Sequence, residues 1–193
     1  MLHIVAIMGT ERTGKDTFAS MCQEFLSANK VLSTTLSTID PVRRLLDSAG
    51  IDVSAKTDAD RKLLSDVGRA LEQHPMWRSV QTLDAAEQAL GVFARKVRVA
   101  FVQVREHVVV DNMRTIAQRG SQVLVHRIRI RRAARLDGRS VEATTGVASD
   151  DELRNEVDLS RYDVVVDNDA DLTALEAEAA KAMLLLGIVN TVW

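Results

Sequence analysis

Cysteine is almost missing: Cys22 stands alone, so no disulfide framework can form within the chain. Its place on the apolar face of the first predicted helix makes it a small core residue and not a nucleophile. An excess of one charge is missing too. The 25 Lys and Arg against 27 Asp and Glu leave a net charge of −2, which argues against broad electrostatic binding to DNA or to a membrane surface. No apolar run approaches the length of a membrane span, and the N-terminus carries no signal-peptide pattern, so no membrane partner and a cytoplasmic location are expected. Repeats, low-complexity tracts and linkers are also lacking. What remains is 193 residues with 46% hydrophobic content, enough for one α/β domain with a buried core.

The stretch that stands out is at the start. His3-Ile4-Val5-Ala6-Ile7-Met8 is a short apolar run, followed by Gly9-Thr10-Glu11-Arg12-Thr13-Gly14-Lys15-Asp16-Thr17 and then by apolar residues at helical spacing, Phe18, Met21, Cys22, Phe25 and Leu26. Strand, glycine-bounded loop and helix are the context that gives the G-x-x-x-x-G-K pattern its meaning. Gly9 and Gly14 let the backbone turn tightly so that successive N–H groups converge on an anion, and the helix N-terminus points its positive end at the same place. Lys15 adds a cation for the β- and γ-phosphates of a nucleoside triphosphate. Residues 9 to 17 are therefore the expected nucleoside-triphosphate-binding loop. Asp16 occupies the position usually held by Ser or Thr. A carboxylate is a good hard ligand for Mg²⁺, so Asp16 is a candidate metal ligand, although a first-turn acid also complements the helix dipole. Thr17 is then available to the α-phosphate.

Further along, Val31–Ser37 reads as a strand, and Asp40-Pro41 opens a helix with an acidic cap and proline at its first position. That helix turns Val42, Leu45 and Leu46 inward and stops at Gly50. A second helix starts near Asp58 with Leu63, Leu64, Val67, Ala70 and Leu71 as its apolar stripe, and His74-Pro75 ends it. From Val80 to Val104 the apolar spacing predicts one long helix, with a break near Gly91. His107–Asp111 predicts a buried parallel strand, Gln122–Ile130 another, and Tyr162–Asp167 the last. Ser149 to Glu152 has capping-box spacing for a short helix, and a final helix buries Leu172, Leu175, Ala179, Met183 and Leu186. Alternating strands and helices imply a parallel sheet with right-handed crossovers.

Open α/β sheets bind ligands beyond the carboxyl ends of their strands. That rule gathers the loop at 9–17, Asp40, Asp111, Arg131 and Asn168 as candidate site residues. Asp111, read at a strand end, would hold Mg²⁺ or its waters, or else cap the following helix. Asp40 is a candidate general base as well as a helix cap. The arginines at 127–139 suit a lid over the phosphates, with Arg131, Arg132 and Arg135 preferred because Arg127 and Arg129 alternate as a solvated strand face would.

GTERTGKDT resembles the phosphate-binding loop of phage-type deoxynucleoside monophosphate kinases, and phosphomevalonate kinases carry a similar GKD variant. The stretches 37–43 and 56–66, including Lys56, Asp60, Arg61 and Lys62, are similar to acceptor-binding helices of the phage enzymes. Asp111-x-x-Arg114 resembles their D-x-x-R element, and 149–152 with Asp163, Asn168 and Asp169 resembles their lid and adenine-side segments. Two features depart from the family pattern: Ala170 stands where a glycine follows Asn-Asp, and a glutamate expected after the D-x-x-R element is absent. The resemblance implies a three-layer αβα fold of the P-loop nucleoside-monophosphate-kinase type over residues 1–193, with an acceptor-binding helical region at about 40–105 and a lid at about 131–150. It also implies ATP as donor, a deoxynucleoside monophosphate as acceptor and Mg²⁺ as cofactor. In this reading Asp40, Arg43, Lys56, Arg61, Arg69 and Arg114 bind the acceptor, Lys15, Arg131 and Arg135 act in transfer, and Asn168 lies beside ATP. A hydroxyl acceptor, such as a hydroxymethylated pyrimidine in DNA or another phosphorylated metabolite, is an alternative. A nucleotide-binding switch without catalysis is another, and a homodimer is left open.

Overall fold

The computed structural model describes residues 1–10, 12–55, 57–74, 76–91, 97–119, 122–132, 153, 156 and 158–189. The described residues form five strands and six helices: β1 (Leu2–Met8), α1 (Lys15–Ala28), β2 (Leu32–Ser37), α2 (Asp40–Ser48), α3 (Asp58–Glu72), α4 (Trp77–Leu90), β3 (Arg98–Val104), α5 (His107–Ala117), β4 (Val123–Arg131), β5 (Val164–Asp167) and α6 (Leu172–Leu185). All the strand pairs are parallel, in the order β2-β3-β1-β4-β5.

β1 sits at the centre because every one of its residues is buried, as expected for a strand with helices on both faces. Its alternation sorts the core into two layers. Val5 and Ile7 join Phe18, Cys22 and Leu26 of α1 and Leu175, Ala179 and Met183 of α6. Leu2, Ile4, Ala6 and Met8 face Leu83 and Ala86 of α4 and Val109, Val110 and Met113 of α5. Burial also pushes the Cys22 thiol pKa up, which keeps it an inert core residue. A third, smaller core of Val42, Leu46, Val53 and Leu64 ties α2 to α3. No helix among the described residues is long and apolar enough to cross a membrane.

Two predicted elements exchange places. The long helix expected over 80–104 ends at Leu90, and Arg98–Val104 is the third strand, paired with both β1 and β2. Its sequence RVAFVQV is apolar on both faces, so burial between two helical layers leaves no clean two-residue alternation to distinguish it from a helix. Conversely, HVVVD is not a strand but the first turns of α5. Val109, Val110 and Met113 are buried there while Val108 is 53% exposed, a helical and not a strand pattern. Tertiary packing overrides the β-propensity of the valine run.

Smaller differences follow from capping. Ile39, not Asp40, is the N-cap of α2; Asp40 is its first residue, and its Oδ2 accepts a hydrogen bond from Ser37 N at 3.1 Å. In α3 the stripe is rotated: Leu64, Gly68 and Glu72 are buried, whereas Leu63 and Ala70 are exposed. Thr57 and Asp60 form a reciprocal capping box that starts this helix. The predicted helix at 149–152 lies outside the described residues.

Candidate active site

The loop after β1 is built by close approaches that only glycine permits. A Cβ on Gly9 would lie 2.7 Å from the Ile130 carbonyl oxygen and 2.7 Å from Thr13 Oγ1. Gly14 has φ of 90°, and a Cβ there would collide with the Asn168 side-chain amide. That amide donates to the Thr13 carbonyl at 2.9 Å, so Asn168, just past the end of β5, ties the loop to the carboxyl end of the sheet. Thr13 Oγ1 donates to the Thr10 carbonyl at 3.0 Å. Lys15 Nζ donates to the carbonyls of Gly9 at 2.8 Å and Thr10 at 2.6 Å, which folds the ammonium across the loop. Gly14 caps α1 with no side-chain hydrogen bond, so the first N–H groups of the helix point into the loop. Arg12 and Thr17 are exposed. Glu11 lies outside the described residues.

Beside the loop is a cleft of about 460 Å³. Lys15 and Asp16 form its loop wall, Ser37 to Ile39 and Arg43 its α2 wall, Arg61, Leu64 and Ser65 its α3 wall, and Arg78, Gln103, Val104, Arg105 and Glu106 its floor and β3 edge. Among these lining residues five are basic and two acidic, so the cleft carries an excess of positive charge. Asp16 accepts a hydrogen bond from the Gln103 side chain, which orients the carboxylate at the junction of loop and cleft. Among the described residues no group of three or more His, Cys, Asp or Glu is arranged around one point. A single carboxylate next to a phosphate loop nevertheless fits Mg²⁺, which takes one or two carboxylates and completes its shell with phosphate and water oxygens.

The candidates named from sequence separate into three groups. Arg43 and Arg61 line the cleft, each half-exposed: Arg43 pairs with Asp40 at 3.2 Å, and Arg61 lies 3.8 Å from Asp58. Asp40 itself is outside the cleft lining, its two oxygens taken by Ser37 N and Arg43 Nη1. Arg69 is exposed on α3 and outside the cleft lining. Arg131 is at the carboxyl end of β4, where Nε and Nη2 bind the two Asp167 oxygens at 2.7 and 2.9 Å. Lys56 and Arg135 lie outside the described residues.

Asp111 and Arg114 are outside the cleft lining. With α5 a helix, Asp111 is one turn past the β3 end and its carboxylate is held by Arg127 Nη2 at 2.6 Å and Arg161 Nη2 at 3.2 Å. Arg114 is bound to the Val125 carbonyl at 3.2 Å and to Asp163 at 2.7 Å. Arg127 and Arg129 are no solvated face: they are 2% and 5% exposed, Arg127 paired with Asp111 of α5 and Arg129 Nη2 donating to the Leu153 carbonyl at 2.6 Å.

The residues that do follow the third strand are Arg105 and Glu106. They and Gln103 escape a sequence reading in which this stretch has helical spacing. Had RVAFVQV been taken as a buried strand, the strand-end rule would have picked out Arg105 and Glu106 directly. Arg78 carries no comparable signal, since an arginine in a helical stretch reads as a surface residue.

No family model matches the chain, and no curated protein sequence matches it. Among solved structures it is similar to the APS kinase CysC of Mycobacterium tuberculosis in complex with AMPPNP and APS, with a TM-score of 0.57 and 14% identity over 96% of this chain and 97% of that one. It is also similar to a sugar kinase from Janibacter sp. HTCC2649, with a TM-score of 0.50 and 15% identity over 98% of this chain and 96% of that one. The five-stranded parallel sheet, its helical layers and these neighbours together establish the three-layer αβα fold of P-loop kinases.

Proposed function

We propose that the chain transfers a phosphoryl group from ATP to an anionic acceptor, and that the acceptor is a deoxynucleoside monophosphate. The observation that carries this reading is the convergence of Lys15 and Asp16 with Arg43, Arg61, Arg78 and Arg105 on one cleft. Phosphoryl transfer asks little covalent chemistry of a protein and depends on positioning and on cations around the transferring group. The loop N–H groups and Lys15 hold the donor's phosphates. Asp16, set by Gln103, would hold Mg²⁺, which when bound neutralises charge on the β- and γ-phosphates. Arg43 and Arg61 come from the two helices that wall the opposite side, and guanidinium forks suit a phosphate. An acceptor phosphate is already ionised, so this reading needs no general base.

The presence of Glu106 in the cleft favours a second reading, a hydroxyl acceptor on an anionic metabolite. Its carboxylate follows β3 directly and is 18% exposed, in a position to take a hydroxyl proton. Glu106 thereby replaces Asp40, whose oxygens are engaged elsewhere, as the candidate base. Assaying ATP turnover with the four deoxynucleoside monophosphates, and repeating it with Glu106→Gln, separates the two. A phosphate acceptor predicts turnover with at least one monophosphate and a loss below about tenfold in the variant. A hydroxyl acceptor predicts no monophosphate turnover and about a hundredfold loss or more with its true substrate. Absence of ATP turnover with every nucleotide and anionic hydroxyl compound tried would refute the transferase reading.

A further inference from the structure

Arg78 is 1% exposed and yet lines the cleft. Long cationic side chains are rarely buried unless they are paired, and here the pairing has a specific build. Two carboxylates flank the guanidinium: Glu106 Oε2 lies 3.3 Å from Nη2, and Glu72 Oε2 lies 3.7 Å from Nε. Glu72 is itself buried and is fixed by donors from two other helices. Ser79 N, at 3.2 Å, and the Ser79 hydroxyl come from α4, and Asn112 Nδ2, at 2.7 Å, comes from α5. One carboxylate on α3 thus ties three helices together behind Arg78.

Gly68 supplies an independent observation. It is buried in α3, where glycine weakens a helix, and a Cβ there would lie 3.0 Å from Arg78 Nη1. The missing side chain makes room for the guanidinium. Room, a rigid backing carboxylate and a second carboxylate on the open side are the parts of an anion site whose occupant competes with Glu106.

We propose that Arg78 reads the anionic group of the acceptor at the cleft floor, with Glu72 as its positioning residue and Gly68 as the space that admits it. The acceptor's phosphate exchanges with Glu106 for the guanidinium fork, so an uncharged analogue leaves the Arg78–Glu106 pair intact and binds weakly. This inference rests on the anionic-acceptor reading above and names the residue that enforces it.

Trp77 adjoins Arg78, and the chain has two tryptophans, so Trp193→Phe leaves Trp77 as the single reporter. In that background, fluorescence is titrated with the four deoxynucleoside monophosphates and with the matching deoxynucleosides. The expected result is saturable binding of at least one monophosphate, weakened about tenfold or more in Arg78→Gln, with deoxynucleoside binding unaffected. Gly68→Ala keeps the guanidinium but crowds it, and should raise the acceptor KM severalfold at unchanged ATP KM and with an undiminished thermal midpoint. Glu72→Gln should also raise acceptor KM more than it lowers kcat, a split that a merely structural role would not produce. If Arg78→Gln fails to fold, Gly68→Ala decides. Wild-type monophosphate affinity in a folded Arg78→Gln or Gly68→Ala protein overturns the inference, as does absence of monophosphate binding to the parent. Arg78-dependent binding without ATP turnover refutes the transferase reading alone. Turnover that is indifferent to Arg78 refutes this inference alone.

Discussion

Replacing Asp111 by asparagine tests whether this acid serves a metal or the fold. Its carboxylate reaches Arg127 Nη2 at 2.6 Å and Arg161 Nη2 at 3.2 Å. The two partners differ in environment. The Arg127 side chain is 2% exposed on the α5 face of the sheet, whereas that of Arg161 is 43% exposed and that of Asp111 is 49% exposed. An exposed pair contributes about 0–1 kcal/mol, so loss of the Arg161 contact is minor. Stranding a buried guanidinium costs about 3–5 kcal/mol when its partner is also buried. The half-exposed position of Asp111 and the retained amide oxygen of asparagine reduce that to about 1–2 kcal/mol. For a domain of this size each 1 kcal/mol shifts the melting temperature by about 2–4 °C, so the midpoint should fall by about 2–8 °C. The assay is thermal and urea unfolding of Asp111→Asn, alongside a Mg²⁺ titration of nucleotide turnover. Stability should drop while the Mg²⁺ concentration for half-maximal activity stays put. An unchanged midpoint with a raised Mg²⁺ requirement would refute the placement of Asp111 and restore it as a metal ligand.

Three further outcomes are expected. Lys15→Ala should remain folded, since the ammonium donates to the loop carbonyls of Gly9 and Thr10 and not to the core, and should lose about a hundredfold or more in phosphoryl transfer; near-normal turnover would remove the basis for the transferase reading. Asp16→Asn should raise the Mg²⁺ needed for half-maximal activity and Asp16→Ser should recover part of the loss, whereas an unaltered Mg²⁺ curve would make Asp16 a dipole partner only. Acid sensitivity should arise at the amino end of the sheet, where His3 Nδ1 and His126 Nε2 are 2.9 Å apart in stacked rings. Burial first, then His126 and the chain's amino terminus, push the His3 pKa down to about 4; burial also lowers His126, with Asp163 opposing and Arg114 reinforcing the shift. The folded state therefore binds fewer protons than the unfolded one between about pH 6.5 and 4. Stability is full above that window and falls as pH drops through it, by on the order of 2 kcal/mol for His3. His3→Gln should lose less stability than wild type between pH 7 and 4.5 in urea unfolding, and parallel pH curves would refute this origin.

What the sequence determined by itself is the chemistry written in consecutive residues. The loop from Gly9 to Lys15 needs left-handed backbone at Gly14 and room for Thr13 Oγ1 against Gly9, and those two demands are local, so seven residues suffice to announce a phosphate cradle. The same holds for α3, which begins at Asp58 because Thr57 and Asp60 cap each other, and for β1, whose apolar run is buried throughout. Arg43 and Arg61 are expected beside the acceptor from the resemblance of 37–43 and 56–66 to acceptor-binding helices, and both line the cleft. Tertiary structure alone decided the rest. RVAFVQV and HVVVD are both short apolar stretches, and which becomes strand depends on which one β1 and β2 can flank, a choice made between segments and not within either. That choice moved Asp111 from the sheet's carboxyl end to the Arg127 pair and put Glu106 in its place. It also turned Arg127 and Arg129, alternating like a wet face, into buried residues, because their partners, Asp111 of α5 and the Leu153 carbonyl, come from other parts of the chain. Arg78 joins the cleft for the same reason: a helical arginine is surface by default, and only Glu72, Glu106 and the gap at Gly68, brought together by folding, give a buried guanidinium somewhere to be.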